Sequence, residues 1–182
     1  MTHRYYCPTA TGEGCEIVLD GAEAHHLVGV MRAATGDRVL LFDGQGCECV
    51  SRIVEVRKRE VRLLLESHRQ VDREADINLT LAVALPKGDR QRWLIEKATE
   101  LGVRQIIPLN TQRSVISIKP SGVDRLKRFV IEASKQCRRN RLMQIGTPLD
   151  WNHLLETTSD ELPRLLAHPP DERTTALQTC TQ

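Results

Sequence analysis

Leu81 to Leu109, LAVALPKGDRQRWLIEKATELGVRQIIPL, reads as a buried strand, a polar loop, a helix and a second buried strand, which makes one crossover unit of an α/β sheet. The short apolar run Leu79, Leu81, Ala82, Val83, Ala84, Leu85 predicts a central strand covered on both faces. Pro86 ends it, because proline has no N–H to give a ladder. Asp89 is the expected cap of the helix, and Leu94, Ala98 and Leu101, spaced by four and three, form its expected apolar stripe. Gly102 supplies a left-handed stop. Val103, Ile106, Ile107 and Leu109 make the next strand, with Pro108 expected to close it.

The loop of this unit holds Lys87, Gly88, Asp89 and Arg90. In an open α/β sheet ligands bind at the carboxyl ends of strands, and a glycine between cations suits a phosphate. The plainer reading makes Lys87 and Arg90 solvated loop charges.

Upstream, residues 1 to 72 read as a mostly β unit. Ile17 to Leu19 is a short strand, and Asp20 with Glu23 resembles a capping box opening a helix through His25, Leu27, Val28 and Met31. Arg38 to Phe42 follows, then a turn at Asp43-Gly44 and Gly46. Alternating segments Glu48 to Val56 and Glu60 to Glu66 flank a charged hairpin turn, Arg57-Lys58-Arg59. Short strands with one helix suggest a small barrel of a kind that often binds nucleic acid. Its ten basic and twelve acidic residues up to Glu74 do not by themselves demand RNA. His68 to Asp76 is polar and reads as a linker.

Downstream, Ser121 and Asp124 are expected to cap a helix whose apolar positions Val123, Leu126, Val130, Ala133 and Cys137 step by three and four. Most of Arg125, Arg128, Lys135, Arg138 and Arg139 fall off that stripe, and the run Arg138-Arg139-Asn140-Arg141 favours phosphate over plain solvation. From Gln112 to Gln144 nine basic residues face only Asp124 and Glu132; from Ile145 onward two basic residues face six acidic ones. Such a local cationic excess attracts polyanions, which the overall charge of +2 conceals. A short helix from Trp151 through Leu155 and a strand from Leu162 to Ala167 complete the expected elements.

The 182 residues suffice for one large domain or two small ones. Six cysteines without C-x-x-C spacing read as free thiols of a reducing cytoplasm, and no metal site is expected. MTHRYYCPT has no apolar run behind it, so no signal peptide is expected.

Three segments together resemble the RsmE-type small-subunit (16S) ribosomal RNA uridine-N3 methyltransferases of the SPOUT superfamily. They are His26-Leu27-Val28-Gly29-Val30-Met31-Arg32 with Gly36-Asp37 and Phe42-Asp43-Gly44; Lys87-Gly88-Asp89-Arg90 with Glu96 to Val103, Pro108 and Arg113-Ser114; and Glu132 to Arg141, which is similar to the family's E-A-x-x-Q-x-x-R signature. The resemblance implies an α/β fold with an N-terminal PUA-like β-barrel over 1–72 and a SPOUT methyltransferase domain over 73–182 lacking its C-terminal knot segment. It implies S-adenosylmethionine as methyl donor, ribosomal RNA of the small subunit as partner, a homodimer and a cytoplasmic location. The family's G-P-E-G-G loop and its later L-G-x-R-x-L-R-x-E-T segment have no counterpart among these residues. On this reading Arg113 is the catalytic candidate, Arg4, Arg32, Lys87, Arg90, Arg138, Arg139 and Arg141 hold RNA, and Leu166, Ala167, His168 and Pro169 belong to the strand opening the cofactor pocket. Glu100 and Glu132 are more readily structural than catalytic, and Lys97 is an ion-pair partner for Glu100.

Two other readings compete. A truncated, catalytically inactive RNA-binding module predicts RNA affinity without cofactor affinity. A Rossmann-type nucleotide enzyme needs a glycine-rich turn after the first strand, where only Gly88 stands.

Overall fold

The five strands of the first sheet exist because their inward positions are apolar at every second residue. They are β1 (Arg4–Tyr6), β2 (Glu16–Asp20), β3 (Arg38–Phe42), β4 (Cys47–Val56) and β5 (Glu60–Gln70), in spatial order β1-β3-β4-β5-β2. This computed structural model describes residues 3–10, 12–112, 114, 120–158 and 163–167, without the side chains of 120 and 121. Along β5, Val61, Leu63 and Leu65 are buried and pack with Tyr5, Leu19, Leu27, Leu41 and Ile53. β1 runs parallel to β3 and the other pairings are antiparallel. Register shifts between Val50 and Ser51 and between Ile53 and Glu55 mark bulges, which bend long strands and let the sheet curl over its core.

Asp43 fixes the turn between β3 and β4: one carboxylate oxygen accepts the backbone N–H groups of Gln45, Gly46 and Cys47 at 2.7, 3.1 and 3.0 Å. The expected helix after β2 is a single turn, α1 (Gly21–His25), continued by a π-helical turn over His26–Val30. Asp20 and Glu23 form no capping box, since Asp20 makes no side-chain cap bond. The carboxylate of Glu23 instead accepts from the Tyr6 backbone and from Lys135 Nζ.

The crossover unit forms as the sequence predicts, with shifted details. β6 (Thr80–Val83), α2 (Asp89–Glu100) and β7 (Gln105–Asn110) are joined so that β6 and β7 pair in parallel. Among the described residues β6 is an edge strand, so Leu81, Ala82 and Val83 are half-buried where double coverage was expected. Gly88, at φ +62° and ψ −140°, occupies the N-cap position of α2, and Asp89 is its first helical residue with no side-chain cap bond. The buried face of α2 is Gln91, Ile95, Ala98 and Thr99; Leu101 is 79% exposed and leaves the stripe. Gly102, at φ +82°, ends the helix as expected: Gly102 N–H donates to Thr99 O and Val103 N–H to Ala98 O, the paired bonds of a glycine C-terminus.

α3 (Pro120–Cys137) returns the chain to β8 (Gln144–Ile145), parallel to the start of β7, and β9 (Leu149–Asp150) pairs with the end of β7. The register advances by one residue between β8 and β9, so the two are one strand interrupted at Gly146-Thr147-Pro148. Pro108 lies inside β7, not at its end; it faces this interruption, where no ladder donor is required of it. Leu126, Val130 and Ala133 of α3 are buried as expected, whereas Cys137 is exposed. Arg125 donates to Gln91 Oε1, Arg92 stacks 5.7 Å from the Phe129 ring, and Arg139 reaches Thr99 O, so α2 and α3 run side by side in the same direction.

The expected linker is more ordered than its polarity suggested. His68, Arg69 and Gln70 belong to β5, while Arg73 and Glu74 are held by Glu48 and Arg139. The chain divides into two units, Met1–Asp150 and Trp151–Gln182. In the second, α4 (Trp151–Thr157) forms where a helix was expected, but Pro163–Ala167 form no strand. Among the described residues no helix is long and apolar enough to cross a membrane.

Candidate nucleic-acid interface

The expected RNA-binding cations separate into a buried and an exposed set. Arg4 is 9% exposed: its guanidinium lies 4.2 Å from the Phe42 ring centroid and donates to Ser134 O, Arg139 O and Asn140 Oδ1. Burial pulls its pKa down to about 10, against the opposing pull of Glu48. Arg139, 5% exposed, forks onto Glu74 through Nε and Nη2 and spends Nη1 on Thr99 O and Val103 O. These two arginines join the curled sheet to the helical half, which departs from a solvent-facing track.

Glu48 completes that seam. Read from sequence only as the first residue of an alternating strand, it is 2% exposed and accepts from Arg69, Arg73 and Asn140 Nδ2. Burial raises its carboxyl pKa, but the hydrogen bonds and charges of Arg73 and Arg69 outweigh that and hold it below the ordinary 4.5. Its own strand, which also carries Arg52 and Glu55, held no signal that set it apart. Glu23 and Lys135 add an ion pair of 3.0 Å between the same two halves.

The exposed set occupies the two ends of α3. Lys87 and Arg90 stand after β6, at the carboxyl edge of the parallel strands, near Arg125 and Gln91. Arg138, at φ +63°, and half-buried Arg141 follow the other end of the helix. Thirteen helical steps from Arg125 to Arg138 amount to about 20 Å. Arg32, at φ +54°, is exposed just after the π-helical turn. Trp93, not singled out in the sequence, is 61% exposed one helical turn beyond Arg90.

Arg113 lies outside the described residues. Its neighbour Ser114 closes the turn after β7, with Oγ accepting from Thr111 N–H at 2.6 Å and donating to Leu109 O at 3.2 Å. Lys97 pairs with Glu100 at 2.6 Å and Lys135 with Glu132 at 3.0 Å, the structural roles expected of these glutamates. Of the cofactor candidates, His168 and Pro169 lie outside the described residues. Leu166 is 71% exposed and Ala167 is exposed. Among the described residues no cluster of histidine, cysteine, aspartate or glutamate could hold a metal ion.

Comparison with known proteins converges on one family. A curated relative from Bacillus subtilis, named ribosomal RNA small subunit methyltransferase E, is 32% identical over 146 residues, 78% of this chain and 57% of the relative. A Legionella pneumophila protein, solved in complex with the bound cofactor SAM, superposes with a TM-score of 0.84 at 28% identity, over 89% of this chain and 69% of that one. A ribosomal RNA small subunit methyltransferase E from Neisseria gonorrhoeae, bound to S-adenosyl methionine, gives 0.81 at 26% identity over 88% and 67%. The chain spans little more than half the length of the Bacillus relative. Residues 19–66 match the model of an RNA methyltransferase PUA domain, which agrees with the curled first sheet. Residues 73–182 match the RNA methyltransferase domain, and by that match over most of its length the chain belongs to the RNA methyltransferase family.

Proposed function

We propose that this protein serves S-adenosylmethionine-dependent methylation of small-subunit ribosomal RNA, at N3 of a uridine, in the cytoplasm and as a homodimer. The observation that carries the reading is the set of exposed cations at the carboxyl edge of the parallel sheet and beyond α3, in a chain whose relatives are named as small-subunit ribosomal RNA methyltransferases. S-adenosylmethionine supplies the methyl group. The chain's own contribution is to hold RNA and present the base.

N3 of uridine is engaged in pairing, so the target base must be unpaired or extruded. Lys87, Arg90, Arg138 and Arg141 hold the phosphate backbone, with Arg32 extending the contacts over the first sheet. Trp93 offers a face on which an unpaired base stacks. Arg113, three residues beyond β7, neutralises the uridine anion that forms when the imino proton leaves; positioning and electrostatics carry the rate. The RNA-binding and methyltransferase parts divide at residues 72/73, a division supported by the polar stretch between β5 and β6.

The test combines calorimetric titration with S-adenosylmethionine and transfer of a labelled methyl group to small-subunit ribosomal RNA, with the modified nucleoside identified by mass spectrometry. The reading expects cofactor binding and 3-methyluridine. RNA binding without cofactor binding would support the inactive RNA-binding module instead. Alanine at Lys87, Arg90, Arg138 or Arg141 is expected to weaken RNA binding and lower the salt slope by about 0.7 each on a single strand.

A further inference from the structure

The first sheet carries a cleft that none of the contacts above uses. It lies between α1 and the β4–β5 hairpin, has a volume of about 540 Å³, and is lined by Asp20, Gly21, His25, Lys58, Arg59 and Glu60. Its charges are distinguished by what their neighbours do. Arg38 and Arg52 pair with Glu66, Arg57 with Glu55 and Glu60, Arg62 with Glu16 and Glu55, and Arg69 and Arg73 with Glu48. Arg4 is spent on the seam. Among the described residues before Glu74, the cations left without a carboxylate or carbonyl partner are Arg32, Lys58 and Arg59. Two of those three line this one cleft.

The carboxylates of the cleft are not equivalent. Glu60 already accepts from Arg57 Nη1 at 2.8 Å. Asp20 is exposed, does not cap α1, and its carboxylate makes no hydrogen bond or ion pair among the described residues. With Arg57 counted against Glu60, the cleft keeps a net positive charge and one free acceptor. Two cations beside one free carboxylate match an anion that also carries a hydroxyl donor. A ribose-phosphate unit has both, with the phosphate for Lys58 and Arg59 and the 2′-hydroxyl for Asp20. An acidic peptide would bring further carboxylates against Asp20 and has no such hydroxyl.

We propose that this cleft is a second RNA-backbone site, in which Lys58 and Arg59 bind a phosphate and Asp20 accepts a ribose 2′-hydroxyl, so that the first sheet distinguishes RNA from DNA. The proposal rests on the RNA-binding reading above. It assigns a contact to the hairpin turn, whose charges the sequence alone did not separate from solvated ones.

The test uses the whole chain and a fluorescein-labelled single-stranded RNA and its DNA counterpart, with anisotropy followed over a salt series. The K58A/R59A double variant is expected to lower the RNA salt slope by about 1.4, two contacts at about 0.7 each. K58R/R59K should restore it, which separates lost charge from lost folding. D20A should keep the slope and cut the RNA-over-DNA preference about tenfold, the loss of one hydrogen bond to a charged group. An unchanged slope in the double variant overturns the site, as does an unchanged RNA-to-DNA ratio in D20A. Polyglutamate displacing RNA from the unaltered chain but not from the double variant would assign the cleft to an acidic peptide and also overturn it. No RNA binding by the unaltered chain would overturn the wider functional reading and the site with it.

Discussion

Replacing Arg139 by alanine should cost the fold about 4 kcal/mol while leaving the salt dependence of RNA binding unchanged. Its guanidinium is buried against Glu74, Thr99 O and Val103 O. Removing one partner of a buried ion pair costs about 3–5 kcal/mol, because the other charge is stranded. The Glu74 side chain keeps 17% exposure, which places this loss near the lower end, about 3 kcal/mol. Thr99 O still accepts from Gly102 N–H. Val103 O loses its guanidinium donor, which adds about 1 kcal/mol. Against a typical stability of about 5–15 kcal/mol the change is large.

Urea unfolding followed by circular dichroism measures it: with a slope of about 2 kcal/mol per molar, the midpoint should fall by about 2 M. Arg139→Lys keeps the charge and loses the planar fork, so it should fall between the two. Combining Arg139→Ala with Glu74→Ala should cost less than the sum of the single changes, since the stranded carboxylate is gone. A midpoint within about 0.3 M of the unaltered chain, together with a lowered RNA salt slope, would refute the seam argument and return Arg139 to the RNA-binding set.

The remaining predictions concern titration. Both tyrosines of the chain have raised pKa values: burial and then Glu23 take Tyr5 up to about 12, and burial, then Asp43 and Cys7, raise Tyr6 above 10.0. Ultraviolet titration should therefore show less than half of the tyrosinate at pH 10 that the urea-unfolded chain shows, and equal signals would contradict the packing around β1. Because the carboxyl of Glu48 is held below 4.5 in the fold, its stabilisation is complete above that pH and is lost as pH falls through the lower folded value. Glu48→Gln should lower the melting temperature at neutral pH and flatten its decline below pH 4.5; parallel melting curves for the two proteins would rule the role out.

The sequence revealed what depends on local patterning and hid what depends on distant partners. The crossover from β6 through α2 to β7 was legible because apolar runs, Pro86 and Gly102 are short-range signals, and each acts within a few residues of where it stands. Leu101 misled because period alone cannot say that Gly102 turns the chain just beyond it, leaving Leu101 in water. Glu23 stands where a capping box would place it, yet its carboxylate reaches Lys135, 112 residues away. Pro108 looked like a strand end because the interruption that tolerates it lies in β8 and β9, nearly forty residues later in the chain. The cations gave the hardest case: Arg138, Arg139 and Arg141 look alike in sequence, and only tertiary contacts divide buried Arg139 from exposed Arg138 and half-buried Arg141.

That division bears on how the proposed RNA partner would be held. Arg4, Glu23, Glu48 and Glu74 on one side of the seam meet Lys135, Arg139 and Asn140 on the other, so the segment resembling the family signature is largely consumed in joining two halves. Buried, mutually satisfied charges resist sliding, because any displacement strands one of them in a poorly solvated place. The exposed cations at the two ends of α3 are therefore held about 20 Å apart along the helix. At about 3.4 Å per nucleotide along a strand of duplex, that separation covers about six steps. A single flexible strand would lose entropy to satisfy two fixed groups at that distance, whereas a pre-folded RNA already presents its phosphates at set spacings. If the proposed function holds, the spacing thus favours a structured RNA over a bare single strand.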